Sequence, residues 1–485
     1  MRITSKIILL LFSVPLFLLP IQNVSAVTRS LSLGLSGSDV TDLQRALIAK
    51  NYLAVGKDTG YFGLLTDAAL KKFQCDTGII CASSGTTGYG IYGPRTQAAL
   101  LGAGSSSGSG TTVSKTFEIS GWIPYWRTAT GTTDVLQHLS QLTSVMPFGY
   151  TIKSDGTLAD TAHLTEEPWT SFIAEAKKNK VRVIPSVMWG NGDAIHKILS
   201  NSTTRIALED AIANEVIKNN FDGVDIDFEA KKHETIHYFS TFLKGLYQRV
   251  GKKWVYCTVE ARMPLFDRYS PGATIPPDAQ DFANDYVEMN KYCDRVEIMA
   301  YDQGTINVRL NAARSAPYAP VADPDWVENL VTLAAKSISK NKLVIGVATY
   351  GYEYTVTPLS GSGFTYKVLW PFNPRYATEI ATKLGITAQR NSAGEMGFTY
   401  DAKLLEPAPT GADSTQTQQL NSVSTSVAQN AGSQVATNQP FNYMSWSDAQ
   451  AIADKVALAK KLGVRGVAVF KFDGGEDQGV WNVLK

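Results

Sequence analysis

Phe221-Asp-Gly-Val-Asp-Ile-Asp-Phe-Glu229 is the stretch on which the reading of this chain turns. In an extended strand successive side chains point to opposite faces, so Asp225, Asp227 and Glu229 share one face while Val224, Ile226 and Phe228 share the other. Burying one ionised carboxylate without a partner costs roughly several kcal/mol, and like charges about 6 to 7 Å apart add to that cost. A fold carries such a row mainly where it does chemistry. Repulsion and partial desolvation raise the proton affinity of at least one member, as a general acid working near neutral pH requires. Glu229, the outermost of the three, is the expected acid.

Outward from this strand the chain alternates β-rich runs with amphipathic helical patterns. Strands are expected over 118–125, 144–150, 181–188, 223–229, 254–261, 295–301, 343–350 and 464–472, and helices over 168–178, 205–218, 237–250, 325–339 and 448–462. Eight strands alternating with helices predict an α/β fold, a (β/α)8 TIM barrel with its chemistry at the C-terminal strand ends, and Glu229 ends its strand. Residues 352–405 are aromatic-rich and are expected to form a small α+β insertion beside the cleft. Residues 409–439, poor in large apolar residues and rich in Ser, Thr, Gln, Asn and Ala, read as a surface loop.

The bulk properties narrow the possible partners. The chain has 485 residues, 44% of them hydrophobic, and a formal net charge of +1. No extended basic face is evident, so nucleic acid is not an expected partner. In residues 1–26, Arg2 and Lys6 precede an apolar run from Ile7 to Ile21 and the small-residue pattern Val24-Ser25-Ala26, which reads as a signal peptide. The run is short of the roughly 20 residues of a spanning helix and carries two prolines, so a secreted product with no membrane segment after cleavage is expected. Cys75 and Cys81 bracket a short loop and are the favoured disulfide, as suits an oxidising compartment. Cys257 and Cys293 lie in neighbouring strands, either bonded or as two buried thiols, and no cysteine spacing resembles a metal site. Oligomeric state is not legible.

A Gly/Ser linker over 102–114 separates residues 31–101 from a large module over 117–485. The small module repeats itself: Phe62-Gly63 precedes Thr66-Asp-Ala-Ala-Leu70, and Tyr92-Gly93 precedes Thr96-Gln-Ala-Ala-Leu100. With Gly37-Ser-Asp-Val40 before Leu43-Gln44, this pattern resembles the small three-helix peptidoglycan-binding domain of bacteria. The resemblance implies a wall polysaccharide as partner and a cell-wall location.

Asp222-Gly-Val-Asp-Ile-Asp-Phe-Glu229 at the end of a fourth barrel strand, followed by Met299-Ala-Tyr-Asp302 at the sixth, resembles the signature of glycoside hydrolase family 18. In that family the 2-acetamido group of the substrate supplies the nucleophile, and the reaction retains anomeric configuration. The resemblance implies that Glu229 protonates the leaving oxygen and that Asp227 holds the acetamido N–H. Asp225 shares a proton with Asp227, and Tyr301 donates to the acetamido oxygen, with Asp302 and Met299 shaping the same sugar site. Asp222, Gly223 and Ser186 are expected to be structural, Ser186 supporting Asp225. No cofactor or metal is implied. Two departures stand out: Phe470 occupies the place of the family's usual Trp floor on the eighth strand, and Ser186-Val-Met-Trp189-Gly190 replaces a Ser followed by paired glycines. Trp122, Trp189, Tyr150 and Tyr352, at or near strand ends, are candidate sugar platforms.

The expected substrate is N-acetylglucosamine-containing peptidoglycan, with chitin as the alternative because both carry the acetamido group. A silent carbohydrate-binding barrel is a further reading, opposed by the retention of Glu229, Asp227 and Tyr301. His233-Glu-Thr-Ile-His237 matches a zinc-protease pattern, but it falls at a helix start with no third ligand at a family spacing, and reads better as a solvated helix start.

Overall fold

The computed structural model describes residues 30–81, 88–100, 117–360, 363–405 and 439–484. The expected signal peptide, the 102–114 linker and all but the last residue of the 409–439 segment lie outside them. Among the described residues, no helix is long and apolar enough to cross a membrane.

Eight parallel strands close on themselves: β1 (Glu118–Pro124), β2 (Ser144–Ile152), β3 (Ser186–Trp189), β4 (Gly223–Phe228), β5 (Trp254–Glu260), β6 (Arg295–Met299), β7 (Leu343–Ala348) and, last in the chain, β13 (Gly466–Phe470). β13 pairs with both β7 and β1, and β1 pairs with β2, which closes the ring. Six of the eight strands fall within the runs read from the sequence, while β2 runs two residues past the expected end at 150 and β3 one residue past 188. The one divided run is 181–188, where Pro185 has no N–H to donate: Arg182–Val183 pairs with β2, and β3 resumes at Ser186.

The alternation along β4 sorts its residues as the pattern requires. Val224, Ile226 and Phe228 face the helices and join the main core, where Phe228 stacks on Phe242 at 5.2 Å. Asp225 and Asp227 point into the barrel, whose interior is otherwise filled by side chains such as Trp122, Met146, Ile184, Tyr256 and Val344. At the N-terminal end the barrel is closed by Glu118, which takes a bidentate pair from Arg295 at 2.7 Å and a further contact from Arg465 at 2.8 Å. Burial alone would raise this carboxyl, but the surrounding guanidinium groups hold it at about 2. The charged plug is thus on the face away from Glu229. A disulfide between Cys257 on β5 and Cys293 ahead of β6 ties two barrel strands.

Between β7 and β13 the chain builds a five-stranded antiparallel sheet from β8 (Gly351–Pro358), β9 (Phe364–Phe372), β10 (Gln389–Arg390), β11 (Met396–Tyr400) and β12 (Phe441–Trp446), with a helix at Pro374–Leu384. The insertion therefore extends beyond the expected 352–405. β12 pairs with both β8 and β11, so an interior strand of the sheet comes after the Ser/Thr-rich segment rather than before it.

The small module packs α1 (Ser38–Ala49), α2 (Leu64–Asp76) and α3 (Pro94–Leu100) around Leu43, Leu47, Phe62, Leu70 and Phe73. Its repeat has a physical basis in two buried glutamines. Gln44 donates to the carbonyl of Tyr61 at 2.8 Å and to Thr66, and accepts from Gly60 N–H; Gln74 does the same with Ile91 at 2.9 Å, Thr96 and Gly90. Each amide thus fastens a glycine turn to the start of the next helix. The Cys75–Cys81 disulfide ties the last turn of α2 to the segment that follows it. The module touches the barrel where Gln248, near the end of the helix Ile236–Arg249, donates to Ile79 carbonyl at 3.0 Å.

Gly223 opens β4 with no room for a side chain, since a Cβ there would lie 2.3 Å from the carbonyl oxygen of Trp254. Gly223→Ala is expected to destabilise the barrel by about 1 to 3 kcal/mol through overpacking. A urea midpoint equal to that of the parent would contradict the close approach.

Candidate active site

Strand β4 delivers its carboxylates to two different environments. Asp225, fully enclosed, accepts three hydrogen bonds: Oδ2 from Ser186 Oγ at 2.6 Å and Trp122 Nε1 at 3.0 Å, and Oδ1 from Thr258 Oγ1 at 2.8 Å. The parallel register of β3 against β4 sets Ser186 beside Asp225. Asp227, two residues on, is also buried, yet its Oδ1 has no hydrogen-bond partner among the described residues. Burial, with Glu229 and Asp225 as neighbouring charges, pushes Asp227 well above the usual carboxylate range. Burial also raises Asp225, but its three donors work the other way. The proton of the pair therefore belongs on Asp227.

Glu229 lies just past the end of β4, held there by its own N–H donating to Trp189 carbonyl at 2.8 Å. Desolvation, then the nearby charge of Glu260, raise its carboxyl to about 7. A group poised at that value carries a proton in part of the enzyme at neutral pH and can give it up or take it back.

The sixth strand supplies the opposite wall. Asp302, accessible from the cleft, accepts from Tyr350 at 2.6 Å and Tyr352 at 2.7 Å on the same oxygen. Burial and four acidic neighbours, Asp227, Asp302, Glu229 and Glu297, push the Tyr301 hydroxyl well up, so it remains a donor throughout the neutral range. Phe470, at the end of β13, lies nearly parallel to Tyr301 at 5.7 Å and meets Trp122, Phe148 and Tyr350 edge-on. Met299 is half-buried against the same group. Thus Asp225, Asp227, Glu229, Tyr301, Asp302, Tyr352, Met299 and Phe470 converge at one barrel mouth.

Three expected platforms are placed elsewhere. Trp122 does point inward, but its ring is enclosed, 1% exposed, and its indole N–H serves Asp225. Trp189 faces the helices and packs edge-on against Phe228 at 5.4 Å, as follows once Ser186 on the same strand faces inward. Tyr150 is turned out of the barrel by a register shift between Phe148 and Tyr150, and its hydroxyl reaches Glu215 at 3.4 Å in the helical layer. Asp222 accepts from Val183 N–H at 2.8 Å, a structural tie between neighbouring strands. His233 occupies a 3-10 turn whose Nδ1 meets Phe282 carbonyl at 3.1 Å, whereas His237 lies in the following helix.

The family model of the glycosyl hydrolases family 18 matches residues 119–475. The chain belongs to family 18 and is a glycosidase. A second model, of a peptidoglycan binding domain, matches residues 36–100. Among curated relatives of this family 18 chain, the uncharacterized glycosylase YvbX of Bacillus subtilis (strain 168) is 26% identical over 324 residues, covering 65% of this chain and 78% of its own. Among solved structures, the spore cortex-lytic enzyme SleL of Bacillus megaterium QM B1551 superposes with a TM-score of 0.54 at 19% identity, over 76% of this chain and 73% of its own. A chitinase from Chromobacterium violaceum ATCC 12472 gives 0.55 at 15% identity, over 76% and 98%. At these identities the superpositions establish the shared fold.

Four residues at the site were not singled out from the sequence. Thr258 and Glu260 lie at alternate positions of β5, Glu297 lies on β6 beneath Asp225 and accepts from Ser120 at 3.2 Å, and Lys231 follows the acidic row by two residues. The period of two along β5 and β6 was the signal that could have found the first three.

Glu229 binds its proton more tightly folded than unfolded, so its ionisation subtracts stability as pH rises from its ordinary 4.5 through about 7. Glu229→Gln should melt higher than the parent by a margin that is small in acid, grows across that window and then levels off. A margin independent of pH would contradict the raised proton affinity.

Proposed function

We propose that this glycosidase is a secreted, retaining β-N-acetylglucosaminidase-type enzyme that cuts β-1,4 bonds of peptidoglycan by substrate-assisted catalysis. The observation that carries the reading is the division of labour along β4: Asp225 fixed by three donors, Asp227 holding the proton of the pair, and Glu229 raised to about 7 at the mouth. An acid with that proton affinity suits protonation of a glycosidic oxygen near neutral pH.

In the first step the C1–O bond to the leaving sugar breaks, the leaving oxygen takes the proton of Glu229, and the acetamido carbonyl oxygen bonds to C1. Asp227 accepts the acetamido N–H, and its negative surroundings favour the positively charged oxazolinium. Tyr301 donates to the acetamido oxygen, and Phe470 lies under the sugar with less area than an indole would offer. In the second step water attacks C1, Glu229 takes its proton, and the ring of the oxazolinium opens with net retention. Asp302, fixed by Tyr350 and Tyr352, and Met299 shape the pocket for the N-acetyl group.

Peptidoglycan is favoured over chitin by the small module, whose matched model is a wall-binding domain, and by the naming of a structural neighbour as a cortex-lytic enzyme. Residues 1–26, read as a signal peptide, would bring the enzyme to that substrate.

Purified protein incubated with peptidoglycan sacculi is expected to release fragments ending in reducing N-acetylglucosamine, identified by mass spectrometry, and Glu229→Gln to lower the rate by about 10²- to 10⁴-fold. Products from chitin oligomers alone would make the enzyme a chitinase, and binding without products from either would make it a lectin. The rate should fall as pH rises through about 7, where Glu229 loses its proton.

A further inference from the structure

The residue that follows the proposed acid is strained and is held from the next strand. Ala230 adopts φ 53°, a left-handed conformation that costs a non-glycine residue roughly 1 kcal/mol or more. Its N–H donates to Glu260 Oε1 at 2.9 Å, from the last residue of β5. The other oxygen of Glu260 accepts from Asn284 Nδ2 at 2.9 Å and lies 3.5 Å from the ammonium of Lys231. That ammonium is wholly enclosed: it contacts Phe228 carbonyl and sits 4.8 Å over the ring of Phe239, while the Glu260 side chain remains 40% exposed.

We propose that Glu260 is a positioning residue for the acid, a clamp that pins Ala230 and Lys231 and thereby fixes where Glu229 stands and what charge it faces. The inference rests on the reading of Glu229 as the acid. The carboxylate of Glu260 and the ammonium of Lys231 are neutral as a pair, but they act on Glu229 with opposite signs, and Glu260 acts more strongly. Across the cleft Asp302 adds a further negative charge, and Asp227 stands behind on the same strand. Glu260 itself stays ionised: burial opposes its charge, but Lys231, Asn284 and the Ala230 N–H hold it below its ordinary range. The clamp joins the exits of β4 and β5 and the segment at Asn284, so three loops of the mouth share one ionic knot.

The test uses full-length protein and four substitutions. Glu260→Gln keeps the size and removes the charge; Lys231→Met removes the ammonium; Glu260→Asp keeps the charge and shortens the reach to Ala230. The midpoint of Glu229 is read twice: from the basic limb of kcat/KM against pH on N-acetylglucosamine oligomers and sacculi, and without turnover, from the pH dependence of the melting difference when Glu229→Gln is added to each background. Glu260→Gln should lower the midpoint by about one pH unit and Lys231→Met should raise it by a similar amount. Glu260→Asp should leave the midpoint in place and lower kcat. Midpoints that do not move, or that move in the same direction in Glu260→Gln and Lys231→Met, overturn the clamp. Full turnover by Glu229→Gln would instead sink the assignment of the acid, and the melting arm would still report on Glu260 and Lys231.

Discussion

Three donors aimed at one buried carboxylate hold this site together. Asp225 could not remain charged inside the barrel without Ser186, Trp122 and Thr258, and each comes from a different strand, β3, β1 and β5. The arrangement needs the barrel closed and in register, because a slip of one residue along β4 would turn both aspartates into the helical layer. With Asp225 supplied, the proton of the pair moves to Asp227, while burial at the mouth, and after it the charge of Glu260, raises Glu229.

The barrel was legible because its signals are periodic and local. The acidic and apolar alternation from Val224 to Glu229, the β-rich runs and the helical spacings between them each follow from side-chain geometry, and the strands fall where they were expected. The row of carboxylates and the Tyr301-Asp302 pair were legible for the same reason. Ser186 supports Asp225 as anticipated, and the loop cysteines are joined.

What was missed depends on contacts between distant segments or on breaks in the period. The period of two places Tyr150 at the mouth with Phe148, but the shift at Gly149 reverses its face. Trp122, aromatic and near a strand end, suggests a sugar platform in the sequence, whereas its enclosed indole is an acid's partner. The aromaticity of a residue says nothing of whether its ring or its N–H is used. The sheet of the insertion was underestimated because β12 follows a long low-complexity segment, and strand pairing across such a gap leaves no mark in local pattern. Glu260 and Lys231 were passed over because neither belongs to the acidic row, although the strain at Ala230 makes them its support.

The central claim is that the substrate's own acetamido group attacks C1 while Glu229 gives up its proton, and the configuration of the first product tests it most directly. Proton NMR of a soluble N-acetylglucosamine oligomer during early turnover, before mutarotation, should show the β-anomer of the new reducing end. An α-anomer as the first product would mean that water attacks C1 directly and would contradict the roles assigned to Asp227 and Tyr301.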